Sequence, residues 1–244
     1  MGNGGEGMPV AGLFVTFEGP DGGGKSTQQA ILSDYLCGRG FATLCTREPG
    51  GTPLADGIRQ LLLDPAYQGM CPVAEALLYA ASRAQHVQEV IRPALTQGKI
   101  ILCDRFLDSS LAYQSFGRGL PEALVRGINE DAVDGFIPDL TFLLDIDPTA
   151  GLARVADSRG EAGLDRLEQE ASSFHRLVRE GFLALATEFP ERIHLIDAAL
   201  PAEEVAGQIR QRVEEKLASR GKQGLTAHNA ELGTENKHLT IKDE

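Results

Sequence analysis

One stretch decides the fold of this 244-residue chain: Gly19-Pro20-Asp21-Gly22-Gly23-Gly24-Lys25-Ser26-Thr27. It matches G-x-x-x-x-G-K-[ST], the phosphate-binding loop or P-loop, whose backbone N–H groups surround nucleotide phosphates. The apolar run before it, 13–17, predicts a short buried strand, and apolar residues at helical spacing after it predict a helix beginning near Lys25. Because the motif lies between a strand and a helix, it indicates a nucleoside triphosphate site rather than an ordinary glycine-rich turn.

The same loop predicts which groups contact the nucleotide. Glycines 22–24 can adopt positive φ, so that successive N–H groups turn towards one anion, and the helix start adds further N–H donors. Lys25 is expected to reach the β- and γ-phosphates, and the Ser26 hydroxyl is expected to bind Mg²⁺. All residues of 19–27 are therefore nucleotide-binding candidates.

The composition excludes several classes of protein. With 42% hydrophobic residues, the chain suits one α/β domain with at most a tail. A net charge of -12 argues against a general binder of nucleic acids or anionic membranes, because both need a positive surface. No apolar run approaches the length of a membrane span. We expect basic residues to act locally, on phosphates.

The cysteines and the N-terminus add two expectations. Cys37, Cys45, Cys71 and Cys103 show no C-x-x-C pairing, and we interpret them as reduced core cysteines of a cytoplasmic protein. Residues 1–11 are predicted to be a flexible leader. The glycine after Met1 is not a myristoylation signal, because Glu6 stands where Ser or Thr is required.

Strands alternate with helices through the rest of the chain. The predicted strands are 13–17, 41–46, 99–104, 140–145 and 192–196. The predicted helices begin at Lys25 and Pro148, cover 52–62, 73–95, 109–116, 121–133 and 201–217, and include an apolar stripe from Leu167 to Leu185. This alternation predicts a five-stranded parallel sheet with helices on both faces.

Two segments fall outside this pattern. Residues 157–164, charged and bracketed by glycines, have the composition of a lid. From Ser219 onward apolar residues are sparse, so 219–244 is predicted to be a disordered tail. The folded domain is therefore expected to span 12–218.

Several classes of protein share the P-loop, and other features must separate them. A GTPase switch needs an N-K-x-D motif, and the only candidate, at 236–239, lacks the aspartate. Transport ATPases carry a serine–glycine–glycine signature, which this sequence lacks. Arg47, Arg83 and Arg105 are expected near the carboxyl edge of the sheet, where ligands bind in parallel α/β folds. Arginines at that edge of an acidic protein indicate a second anion, as in a small-molecule kinase.

The further motifs resemble, in order, those of bacterial thymidylate kinases over roughly Gly12 to Leu217. Besides the P-loop they are Thr46–Thr52, Tyr79 with Arg83, Asp104-Arg105-Phe106, Ser109–Gln114, Pro138–Asp145 and Leu164–Glu168. The resemblance implies a P-loop nucleoside monophosphate kinase fold and the Mg²⁺-dependent reaction ATP + dTMP → ADP + dTDP. It also suggests a homodimer formed through apolar faces of the long helices.

The resemblance implies roles in binding the acceptor nucleotide. Asp21 would contact the sugar 3′-hydroxyl, and Arg105 would clamp the phosphate with its planar fork. Tyr79 would stack on thymine, Arg83 would bond its carbonyl, and Tyr113 would crowd the 2′ position. Family members more often have Phe in place of Tyr79, so its hydroxyl needs a partner here. The other matching positions of the acceptor pocket are Arg47, Glu48, Arg59, Ser110 and Gln114.

Two assignments concern charge at the transferred phosphoryl group. Asp104 ends an apolar strand and is expected to hold the Mg²⁺ shell through water, with Asp145 as the alternative. The variable positions of the P-loop, 20–23, carry no basic residue, and family members of this type supply an arginine from the lid. Arg159 is the first candidate for this catalytic role and Arg154 the second; Arg154 is otherwise expected to contact ATP.

Two other functions stay open at this point. One is a kinase for another nucleoside monophosphate or a small phosphorylated metabolite on the same fold. The other, from a different class, is a nucleotide-dependent switch without an acceptor. An assay of ADP release with and without each monophosphate separates all three.

Overall fold

A computed structural model describes residues 12–159 and 164–235, with side chains for 12–157 and 164–220. Within this part of the chain, five strands form one parallel sheet in the order β2-β3-β1-β4-β5. The strands are β1 (Leu13–Glu18), β2 (Thr43–Arg47), β3 (Ile100–Asp104), β4 (Leu140–Asp145) and β5 (Ile193–Asp197). The predicted five-stranded parallel sheet is confirmed.

Helices connect successive strands. They are α1 (Lys25–Gly38), α2 (Pro53–Leu63), α3 (Pro72–His86), α4 (Arg92–Thr96), α5 (Leu107–Ser110), α6 (Glu122–Val133), α7 (Pro148–Arg159), α8 (Ser172–Glu188) and α9 (Ala202–Glu235). A wider π-helical turn, Val87–Ile91, joins α3 to α4, and a second one, Leu111–Gly117, continues α5. Among the described residues, no helix combines the length and apolar character needed to cross a membrane.

Both faces of the sheet are covered, as predicted. On one face, apolar residues of β1 and β4 pack with Leu32 and Leu36 of α1 and with Ile209 and Val213 of α9. On the other face, clusters around Phe174 and around the turn after α3 bury the remaining strand residues. The three inner strands are almost fully buried, because parallel strands flanked by helices expose neither face.

Three boundaries differ from the sequence predictions. The segment predicted as a loop from Asp157 is still helical, because α7 continues to Arg159; residues 160–163 lie outside the described part. Leu167 and Ala171 precede α8 instead of belonging to it. The reason is the side chain of Asp165, whose Oδ1 accepts hydrogen bonds from the backbone N–H groups of Leu167 and Glu168, both at 3.0 Å. Such an Asx turn competes with the helical hydrogen bonds.

The closing helix is also longer than predicted. We expected it to end at Leu217, whereas α9 runs Ala202–Glu235. Residues 1–11 and 236–244 lie outside the described residues, and the division into leader, domain and tail stays a prediction.

The interpretation of the cysteines as core residues is wrong for three of the four. Cys37, Cys45 and Cys71 are exposed, whereas Cys103 of β3 is buried, and none forms a disulfide. The error over Cys45 has a simple cause. It lies on β2, an edge strand with several positions open to solvent. Only the inner strands of a parallel sheet are buried along their whole length.

Candidate active site

The P-loop follows β1, the central strand, at the carboxyl edge of the sheet. Gly22 and Gly24 have φ of +76° and +83°, the left-handed conformation that the motif predicts. Gly22 also lies directly against α7, since a Cβ added to it would come 2.1 Å from the carbonyl oxygen of Gly151. No side chain fits at Gly22, and the loop is therefore in backbone contact with the helix that leads to the predicted lid.

Lys25 lies within this loop and is buried. Its Nζ donates hydrogen bonds to the carbonyl oxygens of Gly19 at 3.1 Å and Pro20 at 2.8 Å. Burial and the neighbouring charge of Arg105 lower the pKa of Lys25 to about 8. A cation held this way is close to any phosphate that the loop binds.

The two side chains predicted to bind a metal meet beside the loop. The Ser26 hydroxyl donates a hydrogen bond to Oδ2 of Asp104 at 2.5 Å, so the two predicted metal ligands are adjacent. Asp145, the alternative ligand, is occupied instead by the Arg179 guanidinium, which donates two hydrogen bonds to it at 2.7 Å. In the described part of the chain, no group of three or more His, Cys, Asp or Glu residues could hold a metal by itself.

An open cavity of about 420 Å³ extends from the loop, and we call it the loop cavity. Its lining includes most of the residues predicted to bind ATP and metal. These are Asp21, Gly22, Gly24, Lys25, Ser26, Thr27, Asp104 and Arg154. Gly19 and Pro20 contribute the carbonyl groups that Lys25 bonds, and Gly23 donates its N–H to Pro20 at 3.4 Å.

A second cavity, of about 110 Å³, lies further inside, and we call it the inner cavity. It contains nine of the ten residues predicted to bind the acceptor. These are Asp21, Glu48, Arg59, Tyr79, Arg83, Arg105, Ser110, Tyr113 and Gln114. The tenth, Arg47, lines the loop cavity and pairs with Asp56 at 3.0 Å on the surface.

Arg105 and Asp21 stand where the two cavities meet. Arg105 Nη2 donates a hydrogen bond to Asp21 Oδ1 at 2.5 Å, and the Tyr113 hydroxyl donates to the other carboxylate oxygen at 3.2 Å. Burial alone would raise the pKa of Asp21, but the charges of Arg105 and Lys25 lower it below its usual range. Asp21 is therefore ionised, and the acid that the P-loop sequence places among phosphates is neutralised by two cations.

Arg83 is neither a surface charge nor a free ligand group. It is 1% exposed, and its guanidinium donates to Glu48 at 2.8 Å, to Ser110 at 2.9 Å, to the carbonyl of Phe106 at 3.0 Å and to Asn129. Arginine has five N–H donors, so one Nη2 hydrogen is left for a ligand. Most of this side chain serves to assemble the wall of the inner cavity.

Tyr79 and Gln114 also line the inner cavity. Burial raises the pKa of Tyr79 above its usual value, so its ring is neutral at any physiological pH. Its hydroxyl makes no hydrogen bond with the described residues, and the partner that we expected is not found there. Gln114 Nε2 donates to Glu75 at 3.0 Å, which leaves its amide oxygen for a ligand.

The two lid arginines and Arg59 complete the predicted set. Arg154 reaches over the P-loop, with Nη1 donating to the carbonyl of Ala198 at 3.2 Å and of Gly22 at 3.4 Å. Arg59 lines both cavities, and its Nη1 donates to the carbonyl of Pro49 at 3.1 Å. Arg159 is the last residue of α7, and its side chain lies outside the described set.

Sequence reasoning missed three buried groups that shape the site. Glu18 accepts hydrogen bonds from the turn that carries Arg105. His86 bridges Glu48 and Thr46, at 3.0 and 2.7 Å. Glu75 is fully buried and accepts hydrogen bonds from Gln114, Arg118 and Arg166. One signal was present for Glu18, since an acid at the end of an apolar strand needs a partner when it is buried.

The fold is that of a P-loop nucleoside monophosphate kinase. It has a parallel sheet, a P-loop after the central strand and a second cavity beside that loop. A family model described as thymidylate kinase matches residues 17–209. The chain belongs to the thymidylate kinase family.

Individual relatives agree with this assignment. The chain is 49% identical over 208 residues to the thymidylate kinase of Symbiobacterium thermophilum, covering 85% of this chain and 95% of the relative. It is 52% identical over 205 residues to that of Deinococcus radiodurans, covering 84% and 98%. The crystal structure of thymidylate kinase from Ehrlichia chaffeensis is similar with a TM-score of 0.66 at 34% identity, covering 83% of this chain and 99% of that one. The predicted family and fold are confirmed.

Proposed function

We propose that this protein transfers the γ-phosphoryl group of ATP to dTMP, giving ADP and dTDP for dTTP synthesis. One observation carries the proposal: the loop cavity and the inner cavity share a wall that contains Asp21 and Arg105. A triphosphate on the P-loop and a monophosphate at Arg105 would meet at that wall. Phosphoryl transfer needs positioning and charge neutralisation more than a protein nucleophile, so direct in-line transfer suits this arrangement.

The acceptor is held from three sides in this proposal. Arg105 has two N–H groups left, on Nε and Nη2, for the dTMP phosphate, because its other donors bond Gly19, Ser109 and Asp21. Asp21 binds the 3′-hydroxyl, and the Tyr113 ring closes the space at the 2′ position. Tyr79 stacks on the base. The remaining Nη2 hydrogen of Arg83, the Gln114 amide and the Ser110 hydroxyl form hydrogen bonds with the edge of the base.

The donor end uses the P-loop and a divalent metal. The adjacent oxygens of Ser26 and Asp104 fit Mg²⁺, which prefers one or two protein oxygens together with water and phosphate ligands. Ser26 and Asp104 would hold such an ion, which would neutralise phosphate charge when bound. Lys25 leaves the loop carbonyls to bind phosphate oxygens. Arg154 contacts ATP from α7, and Arg159, whose side chain lies outside the described residues, is the proposed source of further positive charge at the transferred group.

We also infer that the protein acts in the cytoplasm as a homodimer. The support for a second copy is the surface of α2 and α3, which pack against each other. Four exposed apolar side chains lie on these helices: Leu54 (58% exposed), Leu61 (44%), Val73 (43%) and Leu77 (52%). Sedimentation should give a dimer for the wild type and a folded monomer for Leu77→Asp; a wild-type monomer at micromolar concentration contradicts the inference.

A coupled assay of ADP release tests the proposed function. Release is expected with ATP, Mg²⁺ and dTMP together, and only at background level without dTMP or with Lys25→Ala in place of the wild type. Removing one such phosphate contact costs on the order of 10²–10³ in kcat. Each other nucleoside monophosphate is assayed in parallel. A faster reaction with another monophosphate would favour the alternative kinase, and release that needs no acceptor would favour a nucleotide switch.

A further inference from the structure

Glu18, the last residue of β1, is a buried acid with no role in the reaction as described above. It follows five apolar or β-branched strand residues and, although it is an acid, it is 0% exposed like them. Within the described part of the chain, the hydrogen bonds of its carboxylate go to one short segment, 106–109. Oε1 accepts from the backbone N–H of Phe106 at 2.8 Å and of Ser109 at 3.3 Å, and Oε2 accepts from the Ser109 hydroxyl at 2.5 Å. The carboxylate thus caps the N-terminal end of α5 from a neighbouring strand.

The segment that Glu18 caps begins at Arg105, whose backbone is strained. Arg105 has φ of +67°, a conformation that residues other than glycine adopt only when the surroundings hold them in it. Its own N–H donates to the carbonyl of Phe17 at 2.9 Å, and the next N–H, of Phe106, donates to Glu18. The end of β1 therefore holds both sides of this residue.

A second connection runs through side chains. Arg105 Nη1 donates to the Ser109 hydroxyl oxygen at 3.2 Å, and that hydroxyl donates its own hydrogen to Glu18. An ionised Glu18 fixes the direction of the Ser109 hydroxyl, because a carboxylate can only accept. The lone pairs of Ser109 then remain available to Arg105. Glu18 acts on the guanidinium from behind, on the side away from the inner cavity.

We propose that Glu18 is a positioning residue that holds Arg105, through the 105–109 turn and the Ser109 hydroxyl, in the conformation that binds the acceptor phosphate. The inference rests on the proposed function, since it assigns Arg105 to the dTMP phosphate. It predicts that Glu18 matters for the acceptor and not for ATP, although Glu18 immediately precedes the P-loop.

The charges around Glu18 give this positioning a pH dependence. Burial and the nearby carboxylate of Asp108 raise the pKa of Glu18 to about 7, and Arg105 opposes this rise. Lys25 and Arg192 also interact electrostatically with Glu18, and Asp108 is itself paired with Arg192 at 2.6 Å. As pH rises through 7, Glu18 ionises and the hydrogen bond from Ser109 becomes charge-assisted, which strengthens the support of Arg105.

Four variants test the proposal: Glu18→Ala, Glu18→Gln, Ser109→Ala and, as a control, Asp139→Ala. Asp139 is also a partly buried acid that caps a strand, accepting from the N–H of Phe14 at 2.8 Å, but it lies at the far end of the sheet. We expect kcat/KM for dTMP to fall about 10- to 100-fold in Glu18→Ala and about 3- to 10-fold in Ser109→Ala. KM for ATP should stay within about twofold in both. Asp139→Ala should lower only the melting temperature.

The pH profile separates positioning from a purely structural role. The second ionisation of a phosphate monoester, near pH 6, affects every variant alike. Dividing kcat/KM for dTMP of the wild type by that of Glu18→Gln removes this effect. We expect the resulting ratio to rise about 3- to 10-fold between pH 6 and 8. A flat ratio, or equal losses for ATP and dTMP, overturns the proposal. If Glu18→Ala does not fold, Glu18→Gln and Ser109→Ala give the same decision.

Calorimetric titration of each variant with dTMP measures binding without turnover. It therefore distinguishes a failure of the Glu18 proposal from a failure of the proposed function. Wild type that binds dTMP without turnover would contradict the function and still allow the Glu18 comparison. Wild type that turns over dTMP, with Glu18→Ala equally effective, would contradict the inference alone.

Discussion

The guanidinium of Arg83 and the carboxylate of Glu48 form an ion pair 2.8 Å long, in which the two side chains are only 1% and 3% exposed. The pair joins the loop after β2 to α3, and the other hydrogen bonds of Arg83 extend it to the turn after β3. His86 Nδ1 donates to the second oxygen of the Glu48 carboxylate at 3.0 Å. The wall of the inner cavity is therefore built around one buried charge pair.

We expect Arg83→Ala to destabilise the protein and not only to weaken dTMP binding. Removing one partner leaves Glu48 buried with its charge uncompensated, which costs about 3–5 kcal/mol in the free energy of unfolding. Urea denaturation measures this cost. Arg126→Ala is the matched control, because Arg126 pairs with Glu122 and Glu188 on the surface, where such pairs contribute about 1 kcal/mol or less. Equal losses for the two variants would show that the Arg83–Glu48 pair is not a structural support.

The affinity for ATP should fall above pH 8 because of Lys25. Only the ammonium form binds phosphate, and its pKa in the ligand-free protein is about 8. Since kcat/KM reports the free enzyme, kcat/KM for ATP should decrease up to about tenfold per pH unit above 8, while kcat at saturating ATP changes less. Lys25→Arg keeps its charge throughout and should lack this decrease. Parallel profiles for the two proteins would assign the titration to another group.

Stability should depend on pH through Glu18. Its folded pKa of about 7 lies above the ordinary carboxyl value of 4.5, so the folded state favours the protonated form. The contribution of Glu18 to stability is therefore fully present below pH 4.5 and is lost as pH rises to about 7. The glutamine of Glu18→Gln cannot ionise. As pH rises from 4.5 to 7, the free energy of unfolding of this variant should therefore increase relative to that of the wild type by about 2–3 kcal/mol. Urea denaturation at pH 5, 6, 7 and 8 tests this; a constant difference contradicts it.

The metal assignment can be tested with two acids that both end an inner strand. Asp104→Asn should raise the Mg²⁺ concentration for half-maximal activity about 10- to 100-fold, as expected when a residue that orients a metal site is lost. Asp145→Asn should change it by less than about twofold, because Asp145 is bonded to Arg179 and not to Ser26. If the Asp145 variant carries the larger effect, the assignment is reversed.

How far the sequence predicts this structure depends on whether the determining contacts are local. The P-loop, its flanking strand and helix, and the alternation of elements were predictable, because each rests on neighbouring residues. Glu75 and His86 were not, since their partners are distant in sequence and meet them only when α3 packs in the fold: Thr46 and Glu48 with His86, and Gln114, Arg118 and Arg166 with Glu75. Arg83 lines the inner cavity with the other predicted acceptor residues, but its burial was not foreseen, because one helical face can point a charge either to solvent or into a network. The start of α8 was misplaced because the hydrophobic stripe continues through a turn held by Asp165.

The charge on the transferred phosphoryl group leads to the last prediction. Positions 20–23 of the P-loop contain no basic residue, and among the described side chains Lys25 and Arg154 are the cations that line the loop cavity from the P-loop and from α7. Arg154 already donates to the carbonyls of Gly22 and Ala198, so we expect it to contribute mainly to ATP binding. Arg159 is the last residue of α7, its side chain lies outside the described residues, and its role at the transferred group stays a prediction from the sequence.

We therefore expect the two arginines of α7 to affect different kinetic constants. Arg159→Ala should lower kcat by about 10²-fold and leave both KM values within about threefold. Arginine fingers contribute about 10³-fold or more to kcat, and we expect a smaller loss here because Arg154 partly replaces Arg159. Arg154→Ala should raise KM for ATP about 3- to 10-fold with a smaller effect on kcat. Steady-state kinetics on both variants, with Arg126→Ala as a surface control, decide between the roles. Reversed effects would exchange the two assignments, and wild-type turnover in both variants would mean that no lid arginine contributes to transfer.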